Sequence, residues 1–166
     1  MQAKSKEDLI ADLIERYRAA TNRDAAFDKL AAARLGVSVT DLHCLNIVES
    51  RHRLTAGELA VESGLTSGAV TAVVDRLERA GYARRVRDDR DRRKVKVEVT
   101  DAFYARAGEI WGPVAAEWQA VLAEGFSAAE LGTIAAFLTQ VDQLGERHAA
   151  RLAADTEARR KSTPAG

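Results

Sequence analysis

The stretch that most constrains the fold is residues 54–100, LTAGELAVESGLTSGAVTAVVDRLERAGYARRVRDDRDRRKVKVEVT, where the apolar period switches from helical to alternating. Thr55 stands three residues before Glu58, so its hydroxyl can accept the Glu58 N–H while that carboxylate reaches back to the Thr55 N–H. A helix starts there, carrying Leu59, Ala60 and Val61 inward until Gly64 ends it. Leu65 turns inward, and Thr66 or Ser67 caps the next helix. Val70, Val73, Val74 and Leu77 form one apolar stripe on it. Gly68, Ala72, Asp75 and Arg79 therefore lie on the opposite face, flanked by Thr71 and Arg76, and Gly81 closes the helix. From Tyr82 onward, Val95, Val97 and Val99 alternate with Lys94, Lys96 and Glu98, which predicts a strand. A first strand over residues 83–87 precedes it, and the polar run 88–93 between the two is a solvent-exposed loop.

Two short helices, a turn and a β-ribbon make a winged helix-turn-helix. Residues 84–96 hold eight basic groups against three acidic ones, a local charge of +5, which suits the ribbon to a polyanion. The chain as a whole is formally neutral, but the neutrality is uneven. Seven basic face eight acidic residues in 1–50, twelve face eight in 51–100, and six face nine in 101–166. A cationic middle between acidic flanks fits a nucleic-acid reader whose outer segments serve another purpose. Small residues at the N-terminal end of the second helix let its backbone approach a grooved partner, and its free N–H groups suit phosphate oxygens.

These residues resemble the MarR (multiple antibiotic resistance regulator) family of transcription factors. The resemblance rests on Leu54-Thr55 with Gly57-Glu58-Leu59-Ala60, on Val70, Val74, Asp75, Arg76, Leu77 and Glu78 followed by Gly81, and on the ribbon. Asp91, Arg93, Val99 and Thr100 match the family's D-x-R-x5-L-T pattern, with Val99 in place of Leu. It implies a short strand near Leu54 packed on the wing, and a homodimer reading double-stranded DNA at a palindromic operator, typically as a repressor. On this reading Thr66, Ser67 and Gly68 meet phosphates and groove floor, Thr71 and Ala72 touch thymine methyls, and Arg76 lies near the backbone or a guanine edge. Asp75 either accepts from cytosine N4 or, the reading favoured here, holds Arg79 or a wing arginine in place. Arg92 and Arg93 enter the minor groove with Asp91 orienting Arg93, and Arg90 and Lys94 complete the cationic tip.

The flanks read as long helices, so the predicted fold is mainly α with a small β-wing. Ser5 with Asp8 caps a first helix bearing Leu9, Ile10, Leu13, Ile14 and Tyr17 on one face. Residues 21–24 form a soft spot that bends or interrupts it before Gly36 ends the run. Ser38 with Asp41 starts the next helix, which fades by Ser50 into a loop at Arg51-His52-Arg53. After the wing, residues 101–124 carry Phe103, Ile110, Trp111, Val114 and Trp118, and Pro113 predicts a kink near Glu109. Ser127 with Glu130 caps the last helix, and residues 156–166 have the composition of a disordered tail. The organisation is thus a dimerisation helix in 1–36, the winged domain in 37–100, dimerisation helices in 101–155 and the tail. Helices apolar on one face but lacking a neighbour need a second copy to cover them.

Several functions are disfavoured. One cysteine precludes an internal disulfide, and His43, His52 and His148 lack zinc-site spacing, so neither metal nor cofactor is expected. No catalytic glycine or histidine motif is present, which argues against an enzyme. The absence of a long apolar run predicts a cytoplasmic protein with no membrane partner. Cys44 reads as a small core residue, with a thiol-responsive regulator as the alternative. A winged module that binds only proteins is a further alternative. The family resemblance also implies a small, often aromatic, acidic effector. Tyr17, His43, Trp111 and Trp118 are its candidate wall, although aromatic groups on apolar helix faces are more often core.

Overall fold

In the computed structural model, which describes residues 5–88 and 91–162, local capping rules set nearly every helix start. Helix α1 spans Lys6–Leu35, and the Asp8 N–H donates to Ser5 Oγ at 3.1 Å while the Ser5 N–H donates to Asp8 Oδ2 at 3.2 Å. It runs unbroken through residues 21–24, where an interruption was expected. The Thr21 hydroxyl donates back to the Tyr17 and Arg18 carbonyls at 3.1 and 3.0 Å, so it joins the helix instead of competing with it. Gly36, at φ +72°, ends α1 in the left-handed region.

Helix α2 (Val39–Arg51) begins with the Ser38–Asp41 capping box and ends at His52, a non-glycine residue at φ +64°. Strand β1 (Leu54–Thr55) leads into α3 (Ala56–Ser63), α4 (Ser67–Arg79), and the wing strands β2 (Ala83–Arg87) and β3 (Val95–Val99). Thr66, not Ser67, caps α4, its hydroxyl accepting the Ala69 N–H at 3.2 Å. The sheet is antiparallel in the order β1-β3-β2, pairing Leu54 with Val97 and Arg85 with Val97 across the two ladders. The short strand at Leu54 that the resemblance implies is therefore present.

The core lies between α2, α3, α4 and the sheet. Leu42, Leu45, Val48, Leu59 and Val97 are buried in it, as are Val70, Val73, Val74 and Leu77, the stripe read from sequence. One inward assignment is corrected, and one strand residue differs from its alternating neighbours. Val61 is 83% exposed, because the eight-residue α3 turns only one narrow face to the core. Val95 is 49% exposed, because β3 begins beyond the edge of the body it packs on. Thr100 closes the hairpin: its hydroxyl donates to the Gly81 carbonyl at 2.6 Å, and its N–H donates to the Tyr82 carbonyl at 3.0 Å. The Thr100 hydroxyl oxygen also accepts the Phe103 N–H at 3.3 Å, capping α5 (Asp101–Gly125).

The chain divides into two compact units, residues 1–112 and 113–166, and the division falls at Pro113 inside α5. In the second unit, the Ser127–Glu130 box starts α6 (Ala128–Ser162), with the Ser127 N–H donating to Glu130 at 2.8 Å. Residues 156–162 are helical where a disordered tail was expected. Glu157, Ala158, Arg159, Arg160 and Lys161 are good helix formers, and the Thr156 hydroxyl donates to the Leu152 carbonyl at 2.7 Å. The rest of that tail, 163–166, lies outside the described residues. No helix among the described residues is long and apolar enough to cross a membrane.

Candidate nucleic-acid interface

The outer face of α4 is thinly furnished. Thr66, Ser67, Gly68, Thr71, Ala72, Asp75 and Arg76 are all exposed, and a Cβ placed on Gly68 would meet nothing within 4 Å. The Thr71 hydroxyl donates to the Ser67 carbonyl at 3.0 Å, leaving its methyl as the outward group. Backbone and small side chains are therefore what a partner would meet at the N-terminal half of this helix.

Its charged residues are held from both sides. On one flank Arg76 reaches α2: its Nε donates to both Asp41 oxygens at 3.2 Å, and its Nη2 donates to Asp41 Oδ1 at 2.6 Å. On the other, Arg85 of β2 donates to Asp75 Oδ1 at 2.8 Å and to the Glu78 carboxylate, and its backbone N–H donates to Glu78 Oε1 at 2.8 Å. Asp75 thus holds a wing arginine, Arg85, while the Arg79 Nε donates to its backbone carbonyl at 3.2 Å. The roles of Asp41 and Arg85 were not visible in the sequence: Asp41 read only as a capping partner, and Arg85 as one cation among eight.

The same holds for Glu98, which alternation places outward yet which is only 7% exposed. It is covered by the arginines it binds, Arg84 on β2 and Arg53 before β1, each at 2.6 Å. Arg51 is likewise paired, with Glu62 at 3.1 Å. Asp88, expected in an exposed loop, is buried at the base of the turn. One of its oxygens accepts the Asp91 N–H at 2.9 Å and the other pairs with Lys96. Asp91 then accepts the Arg93 N–H at 3.1 Å, so it fixes the Arg93 backbone, not its guanidinium.

The charge at the tip is accordingly smaller than counting implies. Arg84, Arg85 and Lys96 are neutralised by Glu98, by Asp75 with Glu78, and by Asp88. Among the described residues, Arg87, Arg92, Arg93 and Lys94 are exposed and in no ion pair, and Arg90 lies outside the described residues. These unpaired cations lie at the end of the ribbon, on Arg87 of β2 and on Arg92, Arg93 and Lys94 just before β3.

Burial pushes the Asp41 and Glu98 carboxyls up, but Arg76 with Ser38, and Arg84 with Arg53, hold each below its ordinary value. A lowered folded-state pKa gives stability that is complete above the unfolded value, about 4, and lost as pH falls through the folded one. The urea midpoint is therefore expected to be flat from neutral pH to about 5 and to drop below about 4, with Glu98→Gln showing a shallower drop. A midpoint unchanged down to pH 3 would contradict these pairings.

Comparison with known proteins agrees with this geometry. A MarR family model matches residues 35–94. The chain is also 33% identical over 148 residues to the uncharacterized HTH-type transcriptional regulator YcgE of Bacillus subtilis, covering 89% of this chain and 96% of that protein. The chain belongs to the MarR family. Among solved structures, a MarR family protein from Bacillus stearothermophilus superposes with a TM-score of 0.63 at 22% identity, over 86% of this chain and 99% of that one. Streptococcus pneumoniae FabT, solved in complex with DNA, gives 0.57 at 23%, over 82% and 98%.

As a MarR family member the protein is a DNA-binding transcriptional regulator, a class that is not enzymatic. Of the four residues expected to wall an effector site, each is described within its own unit. His43 lines a depression of about 230 Å³ with Ala25, Asp28, Lys29, Val39, Leu42 and Asn46, between α1 and α2. Trp111 packs edge-on against Phe27, ring centroids 6.2 Å apart, whereas Tyr17 and Trp118 stand exposed on α1 and α5. Cys44 is fully buried, and burial pushes its thiol up, away from the reactive thiolate.

Proposed function

We propose that the chain is a repressor that binds a palindromic operator as a homodimer and is released by a small aromatic acid. The observation that carries the DNA half of this reading is the pairing of an exposed, small-residue helix face with unpaired cations at the wing tip. Thr66, Ser67 and Gly68 would meet phosphates, Thr71 and Ala72 the major-groove floor, and Arg92, Arg93 and Lys94 the minor groove and its rims. Asp75 serves by holding Arg85. FabT, a protein of this fold, has been solved on DNA, which supports the same use here.

The effector half rests on the depression beside His43, where Ala25, Val39 and Leu42 offer apolar surface and Lys29, next to Asp28, offers an ammonium that suits a carboxylate. Binding through Cys44 is disfavoured by its burial. The test is a mobility shift on the duplex flanking the protein's own gene, at 50–200 mM salt, with phenolic acids then titrated in. Steeply salt-dependent binding is expected, reversed by at least one such acid. Binding that no acid reverses would leave the regulator without this effector class. No duplex binding at low salt would point to a winged module that meets proteins.

A further inference from the structure

We propose that Asp41 is a positioning residue for duplex recognition: it clamps Arg76, and through it the reading helix α4, instead of leaving that arginine to contact DNA. The inference deepens the reading above and rests on α4 meeting the duplex. The Asp41 side chain is 4% exposed, and its carboxylate accepts three hydrogen bonds from Arg76 and one from the Ser38 N–H. With that many donors its oxygens are committed, and the planar guanidinium is fixed in orientation as well as in place. The partners are thirty-five residues apart, so the contact ties the first turn of α2 to the last turn of α4.

The clamp acts where orientation matters. Val73 and Leu77, buried on either side of Arg76, hold the distance of α4 from the core, and the fork resists rotation of the helix about its own axis. Thr71 and Ala72 lie about one turn away on the exposed face, so a small rotation would displace both from a groove floor. Recognition geometries tolerate only about 10–20° of such error. The rival reading is that Asp41 merely masks a cation that would otherwise bind phosphate. The two differ in sign.

The experiment uses the full chain and a labelled duplex enriched by it from a random-sequence pool, with an unselected duplex as control, both read by anisotropy at 50–200 mM salt. For Asp41→Asn we expect affinity for the selected duplex to fall about tenfold or more, as when an orienting partner is removed elsewhere. The unselected duplex and the salt slope should be unchanged. Tighter binding with a slope steeper by about 0.9 would mean an unmasked phosphate contact and would overturn the proposal.

Arg76→Gln leaves the Ser38–Asp41 cap in place and carries the test if Asp41→Asn does not fold. It should show the same selective loss at constant slope, and equal loss on both duplexes with a slope reduced by about 0.9 would overturn the proposal. Arg76→Lys should not restore selectivity, since one ammonium cannot fork two oxygens, and restoration would also overturn it. A wild-type chain that enriches no duplex would remove the reading of α4 itself, an outcome distinct from any of these.

Discussion

The double replacement Ile10→Asp with Ile14→Asp is expected to yield a lone subunit that has lost operator affinity by about 100-fold or more, because two linked half-site readers become one. Both side chains are about half exposed, 50% and 51%, and sit one turn apart on the same face of α1 as Leu13 and Tyr17. From Lys6 to Ala26 no residue of α1 is buried, so the apolar stripe from Leu9 to Tyr17 is left to water. A helix gains most of its stability from covering such a stripe, and contiguous apolar patches of this kind mark an interface. A second copy is the economical cover. Sedimentation would read the subunit state, and far-UV circular dichroism would show the winged part still folded, since no core residue has been touched. A variant that remained a dimer with unchanged operator affinity would take this face out of the interface.

The second unit raises the same need independently. Trp118 and Val121 on α5 are each 61% exposed, and Phe126, Phe137, Leu138 and Leu144 add further apolar surface. The twofold assembly proposed above would cover the apolar helix faces of both units and would also set the half-site spacing of the readers.

What the sequence disclosed and what it withheld divide along the range of the interactions. The caps at Ser5, Ser38, Thr55 and Ser127 and the stripe from Val70 to Leu77 follow from rules acting within four residues, and all appear in the structure. Asp41 with Arg76, and Glu98 with Arg53 and Arg84, join residues far apart in the chain, so no spacing rule could pair them. Charge counting failed for the same reason: it treats each of the eight wing cations as available, whereas three are neutralised by carboxylates that only the fold brings near. Alternation in β3 marks a strand, but period alone does not say how far along its length the body extends. Val95 is therefore exposed while Glu98 is covered.

The wing carries the second large effect. Arg93→Ala is expected to weaken operator binding by about 1–3 kcal/mol and to reduce the salt slope by about 1, with the dimer and the melting temperature unchanged. Stability should be indifferent because Arg93 is exposed and in no ion pair among the described residues, and such surface changes stay within about 0.5 kcal/mol. Binding should not be indifferent, because the turn has been built to hold this residue. Asp88 accepts the Asp91 N–H, Asp91 accepts the Arg93 N–H, and the Lys94 N–H donates to the Asp91 carbonyl at 2.8 Å. These hydrogen bonds tie the backbone from which Arg93 projects, and such tying lowers the entropy lost on insertion into a narrow groove. The loss should be greatest for duplexes with A·T-rich flanks, where the minor groove is narrow and its negative potential deepest. Equal affinity of Arg93→Ala and the parent for the selected duplex, at any salt, would exclude this side chain from the interface and shift the weight of the wing onto Arg92 and Lys94.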